Sequence, residues 1–194
     1  MKFQVAIAAA IAATLLVPGR GGAEEPKKDS KTTAVTIKDL VLHVPEDWKL
    51  AKNTSSMRLA TYTVPAAKGD PEDGELAISS FGGDGGGIAP NLSRWVGQFS
   101  GDGRTAKIVK GSAGENDYYV ADIAGTYNKP DGPPFLRKTK PTPGYRMIGM
   151  ILILKGKGVY FLKLTGPDKT VAAQRKAIRT AIGGDIEAEQ DYEL

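Results

Sequence analysis

The chain has 194 residues, with 26 lysines and arginines against 22 aspartates and glutamates, one histidine and no cysteine. That length carries one domain with a real core. The missing cysteines exclude disulfide staples, thiolate zinc sites and a lipoprotein anchor, and the formal charge of +4 is not gathered into Lys/Arg runs interleaved with aromatics, so a nucleic-acid partner is not expected.

The N-terminus reads as a targeting segment. Lys2 is a short positive region, Phe3 to Val17 is apolar, and Pro18-Gly19 breaks the run before the small residues Gly21-Gly22-Ala23. This pattern predicts a signal peptide over 1–23 with mature Glu24 at the start. The apolar run of about 15 residues is shorter than the roughly 20 that a spanning helix needs. The mature chain is therefore expected to be exported, periplasmic or extracellular, without a stable transmembrane segment after cleavage. Losing Lys2 and Arg20 leaves 24 basic residues against 22 acidic ones, close to neutral. Residues 24–33, EEPKKDSKTT from Glu24, lack apolar side chains and read as a flexible linker.

The domain is expected over 34–184. Val35 and Ile37 alternate with polar neighbours, and Leu40 to Val44 continues the extended pattern until Pro45. Met57 to Val64 and Glu75 to Phe81 alternate again and predict a hairpin. The glycine-rich stretch from Gly82 to Gly87 then leads into a helix, with Asn91 as its N-cap and Leu92, Trp95, Val96 and Phe99 on one stripe. Thr105 to Val109 and Tyr118 to Tyr127 read as strands joined by a turn at 111–117. Asn128 to Gly144 holds five prolines and reads as a long irregular loop. Tyr145 to Leu154 is the most apolar strand and belongs at the sheet centre. Lys155 to Gly158 turns the chain into strand Val159 to Leu164. A second helix is expected over Lys169 to Ile182, with Val171, Ile178 and Ile182 buried and Lys176 and Arg179 outside. Residues 185–194 read as a frayed acidic tail. Strands in hairpin-like runs, with two main helices, predict the α+β class: an antiparallel sheet of about six to eight strands with the helices packed on it.

The order of elements, with VPEDW at Val44–Trp48 and KLTGP before the last helix at Lys163–Pro167, resembles the PsbP-like fold. That fold is shared by the photosystem II extrinsic subunit and a nuclear Ran-binding protein family. The chain also resembles a group of small secreted bacterial proteins of unknown function, through Met57–Ala60, Phe81–Gly87, Asn91–Trp95, Pro143–Met147 and Phe161–Pro167. The resemblance covers about residues 35–182 and implies no catalytic residues.

The glycine loop before a helix invites comparison with phosphate cradles. It lacks the Lys-Ser/Thr of a P-loop, its spacing misses GxGxxG, and Asp84 would repel an anion. Gly83, Asp84, Gly85 and Gly86 are kept as a permissive contact surface for a partner. Arg58, Arg94, Arg146 and Lys163 are the candidate cationic contacts, because a guanidinium on a half-buried face can hold a carboxylate or phosphate. Asp70, Glu72, Asp73 and Glu75 form an acidic turn without calcium-loop spacing. His43 stands alone, and neither GxSxG nor SxxK occurs. No metal or cofactor is expected. Two functions remain. One is a noncatalytic exported domain that binds a protein or envelope component through the glycine loop and the 128–144 loop. The alternative is a small-ligand or anion-binding module, which requires the four cations to converge on one concave site.

Overall fold

The structure is a computed structural model and describes residues 31–53, 55–132 and 138–194. The expected signal peptide, residues 24–30 of the expected linker, and Pro133 and Pro134 lie outside the described residues, and Thr32 and Thr33, expected in that linker, open a strand.

Strands β1 (Thr32–Ile37) and β2 (Leu40–Pro45) form a two-stranded antiparallel hairpin. Its turn places Lys38 at φ 58, and Leu40, Leu42 and Val44 alternate inward while Val41 and His43 face out. The remaining strands make one antiparallel sheet of eight: β3 (Lys49–Ala51), β4 (Ala60–Val64), β5 (Gly74–Phe81), β6 (Thr105–Ala113), β7 (Asn116–Pro130), β8 (Thr139–Leu154), β9 (Gly158–Pro167) and β10 (Gln190–Asp191). The spatial order is β10-β6-β7-β8-β9-β5-β4-β3. The apolar run of β8 lies between β7 and β9, paired on both sides from Tyr145 onward, as its composition predicts.

Alternation along the strands splits the core in two. One face carries Tyr62, Val64, Leu76, Ile78, Val120, Ile148, Met150, Leu162 and Leu164. It is covered by the β1–β2 hairpin, Trp48, and helices α2 (Asp168–Ala172) and α3 (Arg175–Ala181). The opposite face carries Ala121, Ile123, Tyr127, Tyr145, Met147 and Phe161 and packs against helix α1 (Ile88–Val96) through Leu92 and Trp95. Gly149 is what lets Trp95 lie flat here: a Cβ at that position would come within 2.4 Å of the indole.

Five expectations are corrected. The strand expected from Met57 starts only at Ala60, because Ser55 draws the backbone N–H groups of Met57 and Arg58 into a turn. The turn expected over 111–117 shrinks, since β6 and β7 pair as far as Ala113 and Asn116. Most of the expected 128–144 loop is regular: past an irregularity between Gly125 and Tyr127, β7 and β8 continue as a two-stranded ribbon from Tyr127–Thr142 to Pro130–Thr139. Past the bridge from Phe99 to Tyr127, each ribbon strand has one neighbour, so Pro130 and Pro141 cost no second ladder bond. The single second helix is two, broken at Ala173 and Gln174, and Arg179 is buried. The burial of Arg179 comes from the C-terminus, which is not a frayed tail. A 3-10 turn at Ile186–Ala188 and β10 bring Glu189 onto Arg179, and β10 pairs with β6 at Lys110 and Val109.

Candidate functional site

Helix α1 covers only part of its face of the sheet. Beyond β9, that face is made of Lys163 and Thr165 on β9, Glu75 and Ala77 on β5, and Thr61 and Thr63 on β4, since these share register rows and alternation. Polar side chains therefore floor an open trench beside the helix. The β7–β8 ribbon forms its far wall through Tyr127, Lys129 and Tyr145.

Lys163 stands at the inner edge of this trench. Its ammonium donates to Gln98 Oε1 at 2.7 Å and to the Tyr127 hydroxyl at 3.2 Å. It also lies 5.4 Å from the centroid of the Tyr127 ring. Both acceptors are neutral. Burial, then repulsion from Arg58 and Arg94, pull the Lys163 pKa down to about 8, with Glu75 opposing. Burial and the nearby Glu75 carboxylate push the Tyr127 phenol up to about 12, against Arg58, so it keeps its proton at neutral pH. Tyr127 stacks on Tyr145 with centroids 6.1 Å apart, and Tyr145 donates its hydroxyl proton to Glu72.

Arg58 reaches the same place from the turn before β4. It pairs with Glu75 at 2.9 Å and approaches Thr61 Oγ1 at 3.4 Å. Arg94, off the buried stripe of α1, donates to Asn91 Oδ1. Neither Arg94 nor Lys163 forms an ion pair among the described residues. Arg58 and Arg94 thus act on Lys163 as like charges, and Glu75, paired with Arg58, acts as the opposite one. The floor and far wall, Thr61, Thr63, Glu75, Thr165, Lys129 and Tyr145, line a cleft of about 460 Å³ together with Glu72 and Asp73, and Arg58, Arg94 and Lys163 are not part of that lining.

The fourth expected cation is elsewhere. Arg146 lies on the opposite face of the sheet, 2.5 Å from Asp122 and 2.8 Å from Asp168, and Asp122 also takes Arg175 at 2.6 Å. Two arginines and two aspartates balance, and the Asp122 and Arg146 side chains are only 12% and 13% exposed. These contacts tie α2 and α3 to the sheet.

The glycine loop is held from within. Asp84 Oδ1 accepts the Gly86 N–H at 2.9 Å, so the aspartate belongs to the loop's own turn. Asn91 is not the N-cap. The helix starts at Ile88 behind Gly87, and buried Asn91 sends its amide back to the carbonyls of Gly85 and Gly87 at 2.9 and 2.6 Å. Gly85 has φ 66, and a Cβ there would meet the Phe161 ring at 2.6 Å. Gly83 is open to solvent on its Cβ side. The loop and the proline-bearing ribbon do not share a surface: Phe81 pairs with Val159 and Val159 with Ile153, whereas the ribbon begins where Tyr145 pairs with Pro167.

The acidic turn disperses. Asp70 accepts from Thr170 N and Oγ1, Asp73 from Ala66 N, Glu72 from Tyr145 and Glu75 from Arg58. Among the described residues no three His, Asp or Glu side chains are placed to hold a metal, and no helix is long and apolar enough to cross a membrane. Gln98 and Tyr127, which hold Lys163, are the candidate-site residues that the sequence does not single out. Gln98 follows the helix in an irregular segment, and Tyr127 reads as one more strand aromatic.

No protein-family model matches the chain, and no curated protein does. Among solved structures, the chain is similar to the solution structure of cyanobacterial PsbP (CyanoP) from Synechocystis sp. PCC 6803. The two share 13% identity over 90% of this chain and 100% of that one, with a TM-score of 0.46.

Proposed function

We propose that this chain is an exported, noncatalytic binding domain that recognises an anionic group, a carboxylate or phosphate, in the trench beside α1. The observation that carries the reading is the charge at the inner edge of the trench: Arg58 and Arg94 both act on Lys163 as like charges, and Glu75, itself paired with Arg58, is the carboxylate that opposes them. Assembling like charges on a partly buried surface costs stability, and an anion of the ligand offsets that cost. A guanidinium supplies paired donors for a planar or tetrahedral oxyanion, and the ammonium adds a third. The adjoining cleft, lined by three threonines and Tyr145 with Glu72, Asp73, Glu75, Lys52 and Lys129, gives the uncharged rest of a ligand hydroxyl and aromatic contacts.

The test is thermal unfolding of the mature chain titrated with inorganic phosphate, acetate and citrate, each at constant ionic strength. A ligand at one hundred times its Kd stabilises by about 2.7 kcal/mol. Arg94→Gln should remove most of the effect. Equal responses of wild type and Arg94→Gln to every anion would refute the reading.

A second reading keeps the glycine loop as a protein contact. Phe81 favours it: the ring is 45% exposed at the loop's entrance, held against Phe161 at 5.5 Å between centroids.

A further inference from the structure

The cleft of the trench floor has a composition that narrows what it can hold. Thr63, Glu75 and Thr165 pair across β4, β5 and β9 as one register row, with their side chains on the same face. Neighbouring strands lie about 4.8 Å apart, so the row runs roughly 10 Å from Thr63 to Thr165. All three residues line the cleft of about 460 Å³, a volume inside the roughly 300–1,000 Å³ range of small-ligand sites. The Thr63 and Thr165 hydroxyls have no hydrogen-bond partner among the described residues, and Glu75 meets Arg58 through Oε1 alone. Two hydroxyls and one carboxylate oxygen therefore stand in line with their capacity unused by the described chain.

Charge and solvation exclude most occupants. Glu72, Asp73 and Glu75 face Lys52 and Lys129 in the lining, and Arg58 covers Glu75 from the border at 2.9 Å. Three carboxylates against three cations favour neither an anion nor a cation inside the cleft. An apolar group would take water from the threonines and return no hydrogen bond. A peptide main chain finds no sheet edge here, because the floor is a face whose strands are already paired on both sides. What fits is an uncharged group dense in hydroxyls, since each hydroxyl donates to a carboxylate and accepts from a threonine.

We propose that the cleft takes the ring of an acidic sugar, a hexuronic acid, whose hydroxyls bond Thr63, Glu75 and Thr165 and whose carboxylate reaches Arg58. The inference rests on the anion-binding reading of the trench and names the class of its ligand. Arg58 stands where the cleft meets the cationic edge: it holds Glu75 and lies 3.4 Å from Thr61 Oγ1, both in the cleft lining. Roughly 10 Å between the two threonines leaves room for one six-membered ring with a hydrogen bond at each end.

The experiment measures thermal unfolding of the mature chain titrated with glucuronate, galacturonate, glucose, galactose and acetate at constant ionic strength. It compares wild type with the double variant Thr63→Val, Thr165→Val, which keeps the β-branched shape and removes both hydroxyls. At least one uronate should bind wild type about tenfold more tightly than acetate, the size of one or two net hydrogen bonds. The double variant should lose that tenfold and keep the acetate response, which also shows that it is folded. Uronates that bind wild type no better than acetate, or that bind the folded double variant as well as wild type, overturn the inference; an acetate response in that case leaves the anion-binding reading standing. Glucose or galactose binding as tightly as its uronate overturns the acidic assignment. If neither acetate nor a uronate raises the melting temperature of wild type, both readings fall.

Discussion

Replacing Lys163 with methionine tests the electrostatics of the trench directly. The Lys163 ammonium has its pKa drawn from the ordinary 10.5 down to about 8, first by burial and then by Arg58 and Arg94. Below pH 8 the folded chain holds a proton that its surroundings disfavour, while the unfolded chain holds the same proton at no cost. The full penalty is therefore present at pH 7. Between about pH 8 and pH 10.5 the unfolded state binds more protons than the folded one, so stability rises with pH across that window. A shift of this size corresponds to about 3 kcal/mol, and water reaching the partly exposed ammonium reduces it to about 2 kcal/mol. The tyrosines act later and with opposite sign. Tyr127 and Tyr118 are both raised to about 12, so they lower stability only above about pH 10. Urea unfolding at pH 7, 8, 9 and 10, for wild type and Lys163→Met, isolates the term as a difference of differences. Wild type should gain about 1.5 kcal/mol on the variant's trend between pH 7 and pH 10, roughly three quarters of the whole. Parallel curves would mean that neither burial nor the cationic neighbours penalise the Lys163 ammonium.

Two further outcomes follow from packing. Gly149→Ala should destabilise by about 1–3 kcal/mol, because its Cβ would meet Trp95 at 2.4 Å, whereas Gly101→Ala, with nothing within 4 Å, should be near neutral; equal effects in urea melts would contradict the packing of α1. Glu189→Gln should cost about 3 kcal/mol or more, since it leaves Arg179, 4% exposed in its side chain, without its charge partner at 2.8 Å; a change within 0.5 kcal/mol, the usual range for a surface site, would mean that the C-terminal residues do not hold α3.

Much of the fold was legible because period and punctuation act locally. The alternation of β2, β4 and β5, the apolar run of β8 and the stripe Leu92–Trp95–Phe99 each declare an element and its buried side. What failed was set by partners distant in sequence. Arg179 reads as a solvated helix residue until Glu189 returns to it, and the prolines of 128–144 read as loop until the two halves are seen to pair with each other. Asn91 reads as a cap because amide side chains favour that position, yet tertiary packing places the cap four residues earlier, at Gly87, and turns the amide onto the glycine loop. The candidate site shows the same limit. Arg58, Arg94 and Lys163 are each plain in the sequence, but which of the four expected cations meet depends on strand order and on which face of β8 and β9 each residue takes. Arg146 and Lys163 sit on adjacent strands, and alternation puts them on opposite faces.

That separation gives two charge clusters of opposite design within one sheet. Around Asp122 the charges cancel: Arg146 and Arg175 share it, and Asp168 takes the second side of Arg146. Removing one member exposes another, so Asp122→Asn should cost about 3 kcal/mol and leave anion binding on the far face intact. Around Lys163 the charges do not cancel. Arg94→Gln loses a hydrogen bond to Asn91 but also relieves repulsion on Lys163, so its net effect on stability should stay within about 1 kcal/mol, while anion binding falls. Urea melts and phosphate titrations on both variants form a crossed test. A network built for stability loses stability when a charge is removed, and a cluster built for a ligand loses the ligand. If Arg94→Gln proves as destabilising as Asp122→Asn, the trench is a structural cluster like the other, and its unbalanced charge requires another explanation than an anion.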